Sequence, residues 1–69
     1  MEFEIGEVVQ ISATKETLKN IGAETQLKQN QEVKILGKFT DGWFEVEGEY
    51  LSMPCTADVP GYLLKKIIN

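Results

Sequence analysis

Residues 32–40 read EVKILGKFT, residues 43–48 read WFEVEG, and Asp41-Gly42 stands between them. Two alternating runs around Asp-Gly mark a β-hairpin, because a two-residue type I′ turn needs positive φ at both central positions. A turn centred on Asp41-Gly42 pairs Thr40 with Trp43, Phe39 with Phe44, Lys38 with Glu45 and Gly37 with Val46. Side chains alternate across a strand, so this register sends Val33, Ile35, Phe39, Phe44 and Val46 to one face, the expected core. Lys34, Leu36, Lys38, Trp43, Glu45, Glu47 and Glu49 fall on the other. Lys38–Glu45 and Lys34–Glu49 then become cross-strand ion pairs, each worth roughly 0.2–1 kcal/mol at most.

The remaining strands are shorter. Residues 7–12 form the first, with Ile5, Val9 and Ile11 on one face and Gly6 as a bend before them. After Gly48 a short strand spans about 49–53 and ends at Pro54, which cannot donate to a ladder. Residues 56–61 read as a turn, and 62–68 as the closing strand. Between 13 and 30 the expectation is a long loop holding at most one helical turn, capped by Thr14 and stopped by Gly22, with Leu18 and Ile21 on one face. Five short strands with short turns and no long helix predict a small all-β, closed or nearly closed barrel, formed by the whole chain as a single domain.

The chain has 69 residues, which allows one core. A domain this small buries only about 60% of the surface its unfolded chain exposes, and the usual reinforcements are missing. Cys55 is the only cysteine, there is no histidine, and no cluster has metal-ligand spacing. No metal or other cofactor is expected. A lone thiol suits a reducing compartment. The N-terminus lacks the basic start and apolar run of a signal peptide, and no apolar stretch approaches a membrane span, so the expected location is the cytoplasm. The formal charge is −4, and all seven basic residues are lysine. Without arginine's bidentate fork and with an acidic balance, nucleic-acid binding is disfavoured.

Three segments together resemble the bacterial SH3 family: residues 27–38 (LKQNQEVKILGK), Gly42-Trp43-Phe44-Glu45-Val46, and Gly61-Tyr62-Leu63. They cover the C-terminal two thirds of the chain, with Asn30 where the family turn usually carries glycine. The stretch 49–59 is longer than its counterpart, and the family's Asn-Val-Arg-Ser-Gly-Pro segment is absent. The resemblance implies a small five-stranded SH3-like barrel that works as a binding module, not a particular ligand.

Candidate site residues follow from the hairpin. Trp43 lies opposite the core face, where it either anchors a ligand or is covered by the 13–30 loop; exposed tryptophans are common interface anchors. Pro60, Tyr62 and Tyr50 are candidates to join it in a shallow groove for an extended peptide, with both tyrosines buried to the hydroxyl as the plainer alternative. Glu45 and Glu47 are lysine-paired surface carboxylates or a surface that steers a basic partner. Acid–base catalysis needs a pocket that separates their pKa values. Cys55 has no base to make a thiolate. No catalytic residue is assigned, and the chain reads as a non-enzyme.

The expected function is a protein-binding adaptor or inhibitor whose partner is another protein or an extended peptide. Self-association stays open. The alternatives are an accessory nucleic-acid-binding barrel using Lys15, Lys19, Lys28, Lys34 and Lys38, and a cell-wall peptide binder. Small, acidic, single-domain chains of this sort are frequent among phage-borne and mobile-element proteins.

Overall fold

The structure, a computed structural model, describes residues 3–23 and 25–67. In chain order it contains β1 (Val8–Ile11), α1 (Lys15–Asn20), β2 (Glu32–Lys38), β3 (Trp43–Tyr50), β4 (Met53–Pro60), a 3₁₀ turn at Gly61–Leu63 and β5 (Leu64–Lys66). The strands form one antiparallel sheet in the order β4-β3-β2-β1-β5. β2, β3 and β4 are a meander, and the last strand returns to pair with the first, Ile11 opposite Leu64. This fits the expected small all-β, five-stranded barrel-like fold, with the sheet left open between β4 and β5.

Inward residues from each strand meet in one core. Val9, Ile11, Val33, Ile35, Phe44, Val46, Val59 and Leu64 are all buried. Phe3 is fully buried as well and stands edge-on to Phe44, ring centroids 5.5 Å apart. Ile5 does not join them. Gly6 takes φ +91° in a turn closed by the Glu7 N–H on the Glu4 carbonyl (3.0 Å), which leaves Ile5 exposed.

The segment after β1 contains a helix of six residues. Thr14 Oγ1 accepts the Thr17 N–H at 3.1 Å, as an N-cap does. At the other end Gly22 adopts φ +82°, and the Ala23 N–H reaches back to the Leu18 carbonyl at 2.8 Å, closing a Schellman motif. Leu18 is buried and Ile21 packs against the core. A helix this short has no stability of its own, so its two caps and Leu18 hold it on the sheet. The tight turn before β2 places Asn30 at φ +67°, a conformation asparagine tolerates better than most residues.

Both hairpin turns differ from expectation. At Asp41-Gly42 only Gly42 has positive φ (+87°). The loop has three residues, Thr40, Asp41 and Gly42, and the Phe39 N–H donates to the Trp43 carbonyl at 2.8 Å. The ladder therefore slips by one, pairing Lys38 with Phe44 and Gly37 with Glu45, and a bulge between Ile35 and Gly37 shifts it by one more, which brings Ile35 opposite Val46 and back to the core face. Val33 and Ile35 stay inside, whereas Phe39 turns outward and is 47% exposed. The expected Lys38–Glu45 and Lys34–Glu49 pairs do not form: Lys34 faces Glu47, and Lys38 lies 3.6 Å from Glu4.

The two-residue turn is at Leu51-Ser52, where φ is +52° and +64°. β3 thus runs past Gly48 to Tyr50, and β4 occupies Met53–Pro60, where a short strand and a turn were expected. Gly48 permits this continuation. A Cβ there would come within 2.7 Å of Leu27 Cδ2 and 3.0 Å of Val33 Cγ1. The closing strand is also shorter than predicted, since Gly61–Leu63 is a 3₁₀ turn; Ile68, placed in that strand from the sequence, lies outside the described residues.

Candidate functional site

The β2–β3 turn and the 3₁₀ turn enclose a groove of about 630 Å³. Its apolar lining comes from Phe39, Trp43, Phe44, Pro60 and Tyr62, and Lys38 and Asp41 also line it. Three local features assemble it. Asp41 Oδ1 accepts the Trp43 N–H at 3.2 Å, which sets the entry of β3. Trp43 then pairs directly with Pro60 across the ladder. Finally the Gly61 N–H donates to the Gly42 carbonyl at 2.9 Å, drawing the 3₁₀ turn onto the hairpin turn. A Cβ on Gly61 would meet Phe44 Cε1 at 2.7 Å and the Gly42 oxygen at 3.3 Å, so glycine is what allows the approach.

Trp43 is half-buried and packs against the core. No described residue of the 13–30 segment lines the groove, and the tryptophan opens onto it. Pro60 is buried and forms part of the floor, whereas Tyr62 is 67% exposed at its edge. Trp43, Pro60 and Tyr62 are therefore together, as the sequence suggested. Phe39 is the member that was missed. It had been assigned to the core, and a three-residue turn with glycine in its last, left-handed position is the pattern that would have moved it outward.

Tyr50 is not part of this site. It sits at the opposite end of β3 beside the Leu51-Ser52 turn, seven residues or roughly 23 Å along the strand from Trp43. Glu45 and Glu47 follow Trp43 on the outer face of β3, half-exposed. Glu45 stands opposite Asp58 on β4 and opposite Gly37 on β2. Its Oε1 lies 3.7 Å from the point a Gly37 Cβ would occupy, so the carboxylate leans over the missing side chain. Like charges directly opposite each other destabilise a ladder, and no ion pair among the described residues reaches Glu45 or Asp58.

The lysines are dispersed. Lys15 and Lys19 line a cleft beside β4, Lys28 a hollow near Tyr50, and Lys38 the aromatic groove. They do not form one basic face. Among the described residues no group of three His, Cys, Asp or Glu side chains is arranged to hold a metal ion, and no helix is long and apolar enough to cross a membrane.

The Glu7 carboxyl is held below its ordinary value. It accepts the Glu4 backbone N–H at 2.9 Å, the main cause; desolvation opposes this, and the Lys66 ammonium 3.3 Å away adds to the lowering. This pair ties the entry of β1 to β5 and lies outside the groove. The chain matches no family model, no curated protein and no solved structure.

Proposed function

We propose that this chain is a non-catalytic protein-binding module, an adaptor or inhibitor acting in the cytoplasm, that receives an extended segment of a partner in the groove between the β2–β3 turn and the 3₁₀ turn. The observation that carries this reading is the convergence of Phe39, Trp43, Pro60 and Tyr62 on one open groove. Flat aromatic rings around a proline offer large contact area with little side-chain entropy to lose, which suits a peptide that brings its own extended backbone. Aromatic side chains of this type are also the usual anchors of protein interfaces. The resemblance to bacterial SH3 domains points the same way.

The test is a pull-down with the tagged protein, comparing the native chain with Tyr62→Ala and Trp43→Ala, each checked for folding by circular dichroism. Tyr62 is largely exposed, so its removal leaves the core intact. One protein captured by the native chain and lost by both folded variants supports the reading. Equal capture by all three forms sinks it, and co-purifying nucleic acid without protein would favour the lysine-based alternative.

A further inference from the structure

β4 is an edge strand, and the ladder register fixes where its unused backbone groups point. The Trp43 carbonyl accepts the Phe39 N–H, so Trp43 directs its backbone groups at β2, and its pair with Pro60 carries no bonds to β4. At the other end, the two-residue turn at Leu51-Ser52 closes on a hydrogen-bonded Tyr50–Met53 pair. Alternation does the rest. Met53, Cys55, Ala57 and Val59 bond to β3, and Pro54, Thr56, Asp58 and Pro60 face the open edge. Both prolines of the strand fall in the outward set, where a missing N–H costs no ladder bond. Between them the edge presents the N–H and C=O of Thr56 and Asp58, and no hydrogen bond from the described residues reaches these groups.

Beside this edge, on the side of α1, is a cleft of about 630 Å³ lined by Lys15, Glu16, Lys19, Gln26, Cys55 and Thr56. It flanks the strand at which the sheet stays open. Lys15 and Lys19 are one helical turn apart and share a face. The charge on β4's other flank is opposite. Residues 43–60 hold four carboxylates and no lysine, while the rest of the chain has seven of each sign. A second β4 is therefore a poor occupant, because self-pairing would bring two such acidic hairpins together.

We infer that β4 receives one extended segment of a partner protein as a sixth strand, paired over Thr56 and Asp58, with acidic side chains toward Lys15 and Lys19 and basic side chains on the outer face beside Asp58 and Glu45. Side chains of an added strand point alternately to the same two sides as those of β4. Residues opposite Cys55 and Ala57 turn toward α1, and those opposite Thr56 and Asp58 turn outward. The ligand class is thus a short segment of alternating sign, framed by Pro54 and Pro60 to about five residues or roughly 17 Å. This surface is separate from the aromatic groove and does not depend on it.

The parity supplies the test. Thr56→Pro or Asp58→Pro removes an outward N–H and leaves the ladder to β3 whole, so each variant folds; Ala57→Pro breaks the ladder and serves as the control that unfolds. A phage-displayed library of random linear octapeptides is panned on the native chain, and enriched peptides are measured by fluorescence anisotropy. The expected peptides alternate acidic and basic residues and bind the native chain and Tyr62→Ala equally. They bind Thr56→Pro about tenfold more weakly, the loss of roughly one backbone hydrogen bond, and lose affinity similarly with Lys15→Glu and Lys19→Glu together. As a readout that needs no proline, hydrogen exchange at the Thr56 and Asp58 amides slows when peptide binds. The inference is overturned if enriched peptides bind Thr56→Pro at full strength, if they lose binding on Tyr62→Ala, if no peptide is enriched, or if the chain dimerises through β4.

Discussion

Leu51 and Ser52 occupy left-handed backbone at φ +52° and +64°, and neither residue type suits that conformation. For L-residues other than glycine, asparagine and aspartate it costs roughly 1–2 kcal/mol each. Little offsets the cost at Leu51, whose side chain is 78% exposed. Asn-Gly is the preferred pair for a type I′ turn, so Leu51→Asn combined with Ser52→Gly is expected to stabilise the fold. Allowing for the extra chain entropy of glycine, about 0.5–1 kcal/mol, the net gain is about 1–2 kcal/mol. For a domain of this size that raises Tm by roughly 7–14 °C. Thermal unfolding followed by circular dichroism measures it. Leu51→Ala is the control, because alanine keeps the Cβ that makes the conformation costly and changes stability by only about 0.5 kcal/mol. If the Asn-Gly variant fails to gain in Tm, or alanine gains as much, the turn geometry or its strain has been misread.

Gly48→Ala is expected to destabilise by about 1–3 kcal/mol through overpacking, since its Cβ would lie 2.7 Å from Leu27 Cδ2; urea unfolding reads this as a lower midpoint at unchanged slope. Gly61→Ala, crowded by Phe44 Cε1 at 2.7 Å, should shift the Tyr62 and Gly42 resonances in NMR spectra and weaken capture by the aromatic groove. Removing the cap hydroxyl with Thr14→Ala costs about 1 kcal/mol, seen as faster hydrogen exchange at the α1 amides. Glu7, whose carboxyl is held below its ordinary value in the folded chain, contributes stability above its unfolded pKa and loses it as pH falls through the folded one. Glu7→Gln should therefore flatten the acid side of a plot of Tm against pH and leave its slope near neutrality unchanged.

The β2–β3 hairpin was legible because alternation and a glycine coincide there, and its core residues Val33, Ile35, Phe44 and Val46 were correctly assigned. Its exact turn was not. Asp-Gly fits both a two-residue turn and the last two places of a three-residue one, and the Asp41 carboxylate on the Trp43 N–H belongs to the second. The bulge at Leu36 then hid the slip by returning Val33 and Ile35 to the core, leaving Phe39 as the visible error. The β3–β4 turn had no signal to read, since Leu51-Ser52 contains none of the residues that favour positive φ, and the long ladder on either side imposes the conformation. Pro54 reads as a strand end because its missing donor is visible in the sequence, while its outward parity is set by pairing. Trp43, Pro60 and Tyr62 were found together for a different reason. Trp43 follows Gly42 while Pro60 and Tyr62 flank Gly61, and the resemblance to bacterial SH3 domains implied that these two turns lie side by side.

The uneven placement of charge along the chain also governs how the molecule meets others. Every unbalanced negative charge lies within residues 43–60, so the protein is an electric dipole as well as a weak anion. In the field of a positively charged surface such a body turns before it touches, and at low ionic strength this orientation raises the encounter rate. The β3–β4 hairpin arrives first, with the aromatic groove at one end and the open β4 edge along its side. Added salt, which shortens the Debye length to about 8 Å at physiological strength, slows that approach while leaving the dissociation of a formed complex largely as it was.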